Sequence, residues 1–193
     1  MTATLTKPAQ PSPSEQRFVQ TGVSWNDFKS IQQGFANNPG VRLFYYDGEL
    51  EILSTSPTHE IVKGNIGYLV EDYMVNIGQR FVATGSFSCE KVGTASAQPD
   101  ESYCLGQAAQ PIPDLAIEVV LTSGGPEKLK RYQILEVKEV WFWAAAKISV
   151  HRLMDDQYQQ LDRSQWLPNL DLAKLAKCAA IEERFEAIQC FRN

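Results

Sequence analysis

The chain has 193 residues, 44% of them hydrophobic, enough for one domain with a sizeable core. With 18 Lys plus Arg against 23 Asp plus Glu the net charge is -5, which argues against a globally basic polyanion binder and confines any nucleic-acid contact to a local basic patch. No run of about 18 apolar residues could span a bilayer, and MTATLTKPAQPSPSEQ lacks the apolar centre of a secretory signal, so a soluble cytoplasmic protein without membrane contact is expected.

Residues 1 to 15 carry Pro8, Pro11 and Pro13 among Ser, Thr and Gln, a composition too polar to order itself, and are expected to form a disordered tail before a single domain over 16–193. Trp25 to Phe35 has apolar residues at 25, 28, 31 and 35, the spacing of a helix with one buried stripe. Val41 to Ser54 reads as two strands hinged on Asp47-Gly48, a hairpin signal because Gly accepts positive φ at no steric cost. Ser56 as N-cap and Pro57 at the first helical position open a long helix with apolar residues at 62, 66, 69, 70, 73 and 77, ended by Gly78. Arg80 to Cys89 is strand-like, and two further runs, Asp100 to Leu105 and Ile112 to Leu121, flank the connector GQAAQP. Pro126 opens a helix to about Leu135, three Val-, Ile-, Trp- and Tyr-rich strands follow, and the C-terminal segment is helical. Such an order predicts a central mixed sheet flanked by helices. Cys89, Cys104, Cys178 and Cys190 are scattered with no CxxC pair and are read as ordinary thiols.

The chemistry concentrates between residues 100 and 118. In PDLAIEVVL, residues 113–121, Leu115, Ile117, Val119 and Leu121 share one face, while Asp114, Ala116, Glu118 and Val120 share the other. The midpoint of 100 and 118 falls at residue 109, inside the connector, so a symmetric hairpin sets Asp100 opposite Glu118, with Cβ atoms about 5 Å apart. Two like charges held so closely repel unless a cation lies between them, and a hard divalent ion such as Mg²⁺ prefers carboxylate oxygens. Spacing alone leaves the alternative that both acids merely face solvent. Asp114 lies four residues from Glu118, roughly 13 Å along an extended strand. That is too far to share an ion, and also too far for a glycosidase pair with Glu118, so Asp114 is expected to hold a neighbouring backbone group.

The blocks DGELEILSTSPTHE, QPDESYCLG, PDLAIEVVLTSGG and EKLKRYQILEVKEVWFW, in this order, resemble the Uma-type restriction endonuclease family, greatly expanded in cyanobacteria, of the PD-(D/E)xK nuclease superfamily. The similarity runs from about residue 23 to 190. It implies an α/β restriction-endonuclease-like core, a central mixed β-sheet flanked by helices with an N-terminal β-hairpin, in which Asp100 and Glu118 hold Mg²⁺, with Mn²⁺ able to substitute. A Lys two residues after the acid is the usual partner, but Val120 stands there, and Lys128 in the following helix is the natural replacement. Glu60 and His59, at the start of the first long helix, are candidates to complete the metal's surroundings or to orient water or phosphate. Ordinary helix-end roles are the alternative for both. Lys130 and Arg131 are read as phosphate contacts or plain surface charges, Tyr132 as packing, and Trp141 and Trp143 as core or interface.

The resemblance thus implies a Mg²⁺-dependent endonuclease that hydrolyses DNA phosphodiester bonds, with a homodimer as one way to cut both strands. The alternative is a retired nuclease scaffold that binds nucleic acid or protein, a reading favoured by the missing strand Lys and the acidic balance.

Overall fold

Ser24 Oγ accepts the amide of Asp27 at 3.1 Å and so starts α1 (Trp25–Gly34), whose apolar stripe buries Phe28 under the first hairpin. This chain is described by a computed structural model covering residues 15–38, 40–106, 108–121 and 125–193. Residues 1–14 of the expected tail, and Gln107 of the connector, lie outside the described residues. Strand β1 (Gln16–Gln20) precedes α1 and pairs with β3.

The hairpin of β2 (Val41–Tyr46) and β3 (Glu49–Ser54) turns where its sequence predicts, with Asp47 at φ 45° and Gly48 at φ 82°. Ser56 Oγ caps α2 (Pro57–Asn76) by accepting the His59 amide, and Gly78 takes φ 72° just beyond the helix end. The strand expected over 80–89 is shorter than its composition suggests: only β4 (Val82–Ala83) and β5 (Cys89–Lys91) form. Between them Gly85 adopts φ 55° and Thr84 turns its amide to Ser102 O. Strands β6 (Ala95–Ala97), β7 (Glu101–Cys104) and β8 (Leu115–Val120) follow. A 3₁₀ turn (Pro126–Lys128) then leads into the short α3 (Leu129–Ile134). After α3 come β9 (Glu139–Ala144), β10 (Lys147–Met154), β11 (Gln157–Leu161), α4 (Leu172–Ala179) and α5 (Arg184–Arg192).

Two sheets result, ordered β1-β3-β2-β6-β5 and β11-β10-β9-β8-β7-β4. The second is mixed, because β9 runs parallel to β8 after the α3 crossover while the other pairs are antiparallel. The expected hairpin therefore does not stand alone; it recruits β1, β5 and β6 into a sheet of its own.

Both faces of β8 are covered. Leu115, Ile117 and Val119 pack with α2 and α4, including Ile66, Leu69 and Leu175. Ala116 lies on the opposite side in a second cluster with Phe44, Ala95, Ala97 and Tyr132, contributed by the other sheet and α3. The face that carries Glu118 is thus interior as well, which alternation along a single strand does not reveal.

The C-terminal helices correct one expectation. Cys178 and Cys190 form a disulfide between α4 and α5, with Cα atoms 5.7 Å apart, while Cys89 and Cys104 are buried free thiols. A separation of 12 residues without a motif gave no sign of the pairing; helix packing creates it. Among the described residues no helix is long and apolar enough to cross a membrane.

Candidate active site

The pairing of β7 with β8 joins Glu101 to Ile117, Ser102 to Ala116 and Tyr103 to Leu115. Carried one residue further, the same register sets Asp100 beside Glu118. The Asp100 amide donates to Ile117 O at 3.1 Å, and Asp100 Oδ2 accepts the Val119 amide at 2.8 Å, so the side chain itself fastens the strand end. Both carboxylates are interior, Asp100 at 2% exposure and Glu118 at 1%.

Each acid is surrounded by its own donors. Asp100 Oδ1 lies 2.8 Å from His59 Nε2 and 3.6 Å from Arg42 Nε. His59, fully buried on the first turn of α2, places its other nitrogen 2.8 Å from Glu15 Oε1. Glu118 Oε2 accepts from Lys128 Nζ at 2.8 Å, and its Oε1 accepts a hydrogen bond from the Tyr132 hydroxyl. Lys128 is 1% exposed at the end of the 3₁₀ turn, with its ammonium 4.4 Å from the centre of the Phe44 ring.

The charges sort themselves accordingly. Burial alone would raise the Asp100 carboxyl, but the His59 hydrogen bond and the positive charges of His59, Arg42 and Lys128 outweigh it and hold Asp100 below its ordinary value. Glu118 is pushed up, first by burial and then by the Asp100 charge, with Lys128 and Tyr132 opposing. Burial works against the charge of Lys128, but Glu118 and Asp100 override it and raise the ammonium above its usual range. For His59 the hydrogen bonds to Asp100 and Glu15 overcome burial and lift the imidazole to about 9, so it carries a positive charge at neutral pH.

The other residues singled out in the sequence fall in different places. Glu60 stands outside the inner cluster, its carboxylate 3.6 Å from Arg42 Nη2 and 3.4 Å from Lys63 Nζ. Asp114 Oδ2 accepts the Leu105 amide at 2.8 Å across the β7–β8 connection, well away from Glu118. Lys130 is exposed on α3. Arg131 is instead buried, 2.6 Å from Glu51 Oε2, which excludes a plain surface charge. Trp141 and Trp143 are interior, their indole nitrogens bonded to Glu139 and to Ala176 O.

Arg42 and Glu15 escaped the sequence reading, and Tyr132, expected only to pack, also donates its hydroxyl to Glu118. Arg42 reads as one more strand residue, and Glu15 sits in a polar stretch far from residue 100. Tyr132 does carry a signal: four residues after Lys128, it shares that residue's side of a helix.

The donor set suits a hard divalent ion. Mg²⁺ is bound through one or two carboxylates and keeps several waters. Asp100 and Glu118 supply two carboxylates in register, and each of their oxygens, with the one hydrogen bond described, retains a lone pair for a cation. Among the described residues no group of three or more His, Cys, Asp or Glu is arranged to hold a metal, so an ion here would lean on those two acids and on water.

The mixed sheet with its parallel β8–β9 crossover and flanking helices is a restriction-endonuclease-like fold. The chain belongs to the Uma2 family, described as "Putative restriction endonuclease", whose family model matches residues 25–179. No curated protein matches the chain.

Proposed function

We propose that the protein is a divalent-metal-dependent endonuclease that hydrolyses DNA phosphodiester bonds, with Asp100 and Glu118 as the ligands of Mg²⁺ or Mn²⁺ and Lys128 as the cation beside the reacting oxygens. The observation that carries this reading is the buried Asp100–Glu118–Lys128 cluster in a chain of a restriction endonuclease family. When bound, the ion supplies Lewis acidity to the phosphate and lowers the pKa of a bound water.

The chain's own groups have separable tasks. Asp100, held ionised by its cationic neighbours, is ready to ligate. His59, charged between Glu15 and Asp100, fixes which way that carboxylate points. Glu118 must be ionised to ligate, and Lys128 beside it opposes the burial that pushes its carboxyl up. Lys128 stays protonated at neutral pH, so it offsets negative charge on phosphate oxygens and is a poor base. The setting proposed is the cytoplasm, with two copies acting together where both strands are cut.

One observation favours the retired scaffold as a second reading. Lys128 and Tyr132 already satisfy both oxygens of Glu118, an arrangement that is stable without a metal. Plasmid DNA incubated with Mn²⁺ or Mg²⁺, beside Asp100→Asn and Glu118→Gln, separates the two. Cleavage by the parent and its loss in both variants, with the folded circular-dichroism spectrum retained, supports the nuclease. Equal cleavage in all three rejects the assignment, and no cleavage together with no calorimetric Mn²⁺ binding establishes the scaffold. Lys128→Ala tests the third role: its rate falls more than its DNA affinity, and equal losses recast it as a binding residue.

A further inference from the structure

A cleft of about 770 Å³, joined to Asp100 through Arg42, opens between α1, β2 and the first turns of α2. Arg42 reaches it from β2, Lys29 and Gln33 from α1, Lys63 from α2, and Ser86 and Ser88 from the loop before β5. The volume lies in the range of sites that hold an organic ligand.

Arg42 is the unusual member. It is 5% exposed, and its Nε is buried without a hydrogen-bond partner among the described residues. Two acids attract it, Asp100 and Glu60, each at 3.6 Å, beyond ordinary hydrogen-bond length. A buried guanidinium nitrogen without such a bond is costly to keep, and a phosphate in the cleft would give the Arg42 head group charge-assisted hydrogen bonds. Its neighbours in the cleft suit the rest of a nucleotide. Phe35 supplies an aromatic ring to the wall, and Gln33, Ser86 and Ser88 supply amide and hydroxyl groups able to bond a base or sugar.

We propose that this cleft seats the nucleotide next to the scissile phosphate, with Arg42 binding its phosphate group. The proposal rests on the nuclease reading, which puts the scissile phosphate at Asp100 and Glu118, and it adds a substrate-binding subsite to that centre. Glu60 then holds the Arg42 guanidinium in place until the nucleotide arrives, which accounts for a half-exposed acid at the cleft rim.

The test uses the full chain in EDTA, where no cleavage can occur, titrated with thymidine 5′-monophosphate and separately with inorganic phosphate by calorimetry. Expected are nucleotide binding about tenfold tighter than inorganic phosphate, and a loss of about tenfold or more in Arg42→Gln, the equivalent of one charge-assisted hydrogen bond. Gln33→Trp, an exposed position that can carry a large side chain without disturbing the core, should obstruct the cleft and weaken nucleotide binding alone. It decides the matter should Arg42→Gln fail to fold. Inorganic phosphate binding as tightly as the nucleotide, or unchanged nucleotide affinity in either folded variant, overturns the subsite. Plasmid cleavage by the parent in Mn²⁺ tells the two ideas apart. Cleavage without Arg42-dependent nucleotide binding removes the subsite only, and Arg42-dependent binding without cleavage removes the nuclease reading and leaves a nucleotide-binding cleft.

Discussion

Lys128 and Glu118 form a fully buried ion pair, Nζ to Oε2 2.8 Å, across the gap between the end of β8 and the 3₁₀ turn. Burying two charges is repaid only if geometry is good and the remaining polar atoms are satisfied. Here Tyr132 takes the second Glu118 oxygen and the Phe44 ring lies against the ammonium. The pair therefore also anchors α3 to the sheet, and its stability and its proposed chemistry share one set of contacts.

Replacement of Lys128 by Met leaves Glu118 buried beside Asp100 with no cation of its own. Breaking such a pair costs about 3–5 kcal/mol when the remaining acid is charged. Lys128 lowers the Glu118 carboxyl, so its loss moves that already raised value further up. The folded state then holds a proton that the unfolded state has released, and stability falls as pH rises through that window. Urea melts should show a larger penalty for Lys128→Met at pH 8 than at pH 5. A penalty independent of pH would mean that Glu118 is not the group left behind.

His59 sets a second pH dependence. Its folded value of about 9 exceeds the ordinary 6.5, so its contribution is fully present below 6.5 and is lost as pH rises through 9. The difference corresponds to about 3 kcal/mol at most. The stability of the parent should decline between these limits, and His59→Gln should flatten the decline. Glu15→Gln removes one of the two carboxylates facing the ring and should shift the window to lower pH, a displacement readable by imidazole NMR titration.

What the sequence disclosed follows from how local each signal is. Asp47-Gly48, Ser56-Pro57 and Gly78 act within four residues of themselves, and each sits where its backbone chemistry requires. The register of Asp100 against Glu118 was also legible, because a short symmetric connector constrains it. The burial of the Glu118 face was not, since its cover comes from β2, β6 and α3, distant in sequence. Glu15 beside His59 and Arg42 beside Asp100 are contacts of the same kind: nothing local marks them, and only the folded sheets bring them together.

The disulfide between α4 and α5 closes a short loop. In the chain-entropy account a loop of about 13 residues is worth about 3 kcal/mol against the unfolded state. Dithiothreitol, or Cys178→Ala with Cys190→Ala, should lower the melting temperature by a matching amount while leaving the β7–β8 cluster in place, because α5 reaches α2 also through Arg184 Nε and Asn65 Oδ1 at 3.2 Å. Identical melting of the reduced and oxidised forms would show that the bond adds nothing to those contacts.

Glu101 supplies a prediction with the opposite outcome, a gain in stability. Its carboxyl is raised to about 7, first by burial, then by Glu71 and Asp100, with Lys63 and Arg42 opposing. The folded protein keeps that proton where the unfolded chain, near 4.5, has lost it, so stability drops as pH climbs from 4.5 through 7. Gln cannot ionise, and Glu101→Gln should be more stable than the parent above pH 7 by about 3 kcal/mol at most, and indistinguishable from it near pH 4. The same side chain lies against Gly67 of α2, where an added Cβ would come within 3.1 Å of its Cδ and Oε1. Gly67→Ala should therefore destabilise the parent but be tolerated in Glu101→Ala, which removes the atoms it meets. A double-mutant cycle in urea reads this coupling directly, and additive effects would show that Glu101 is free to swing away from the helix.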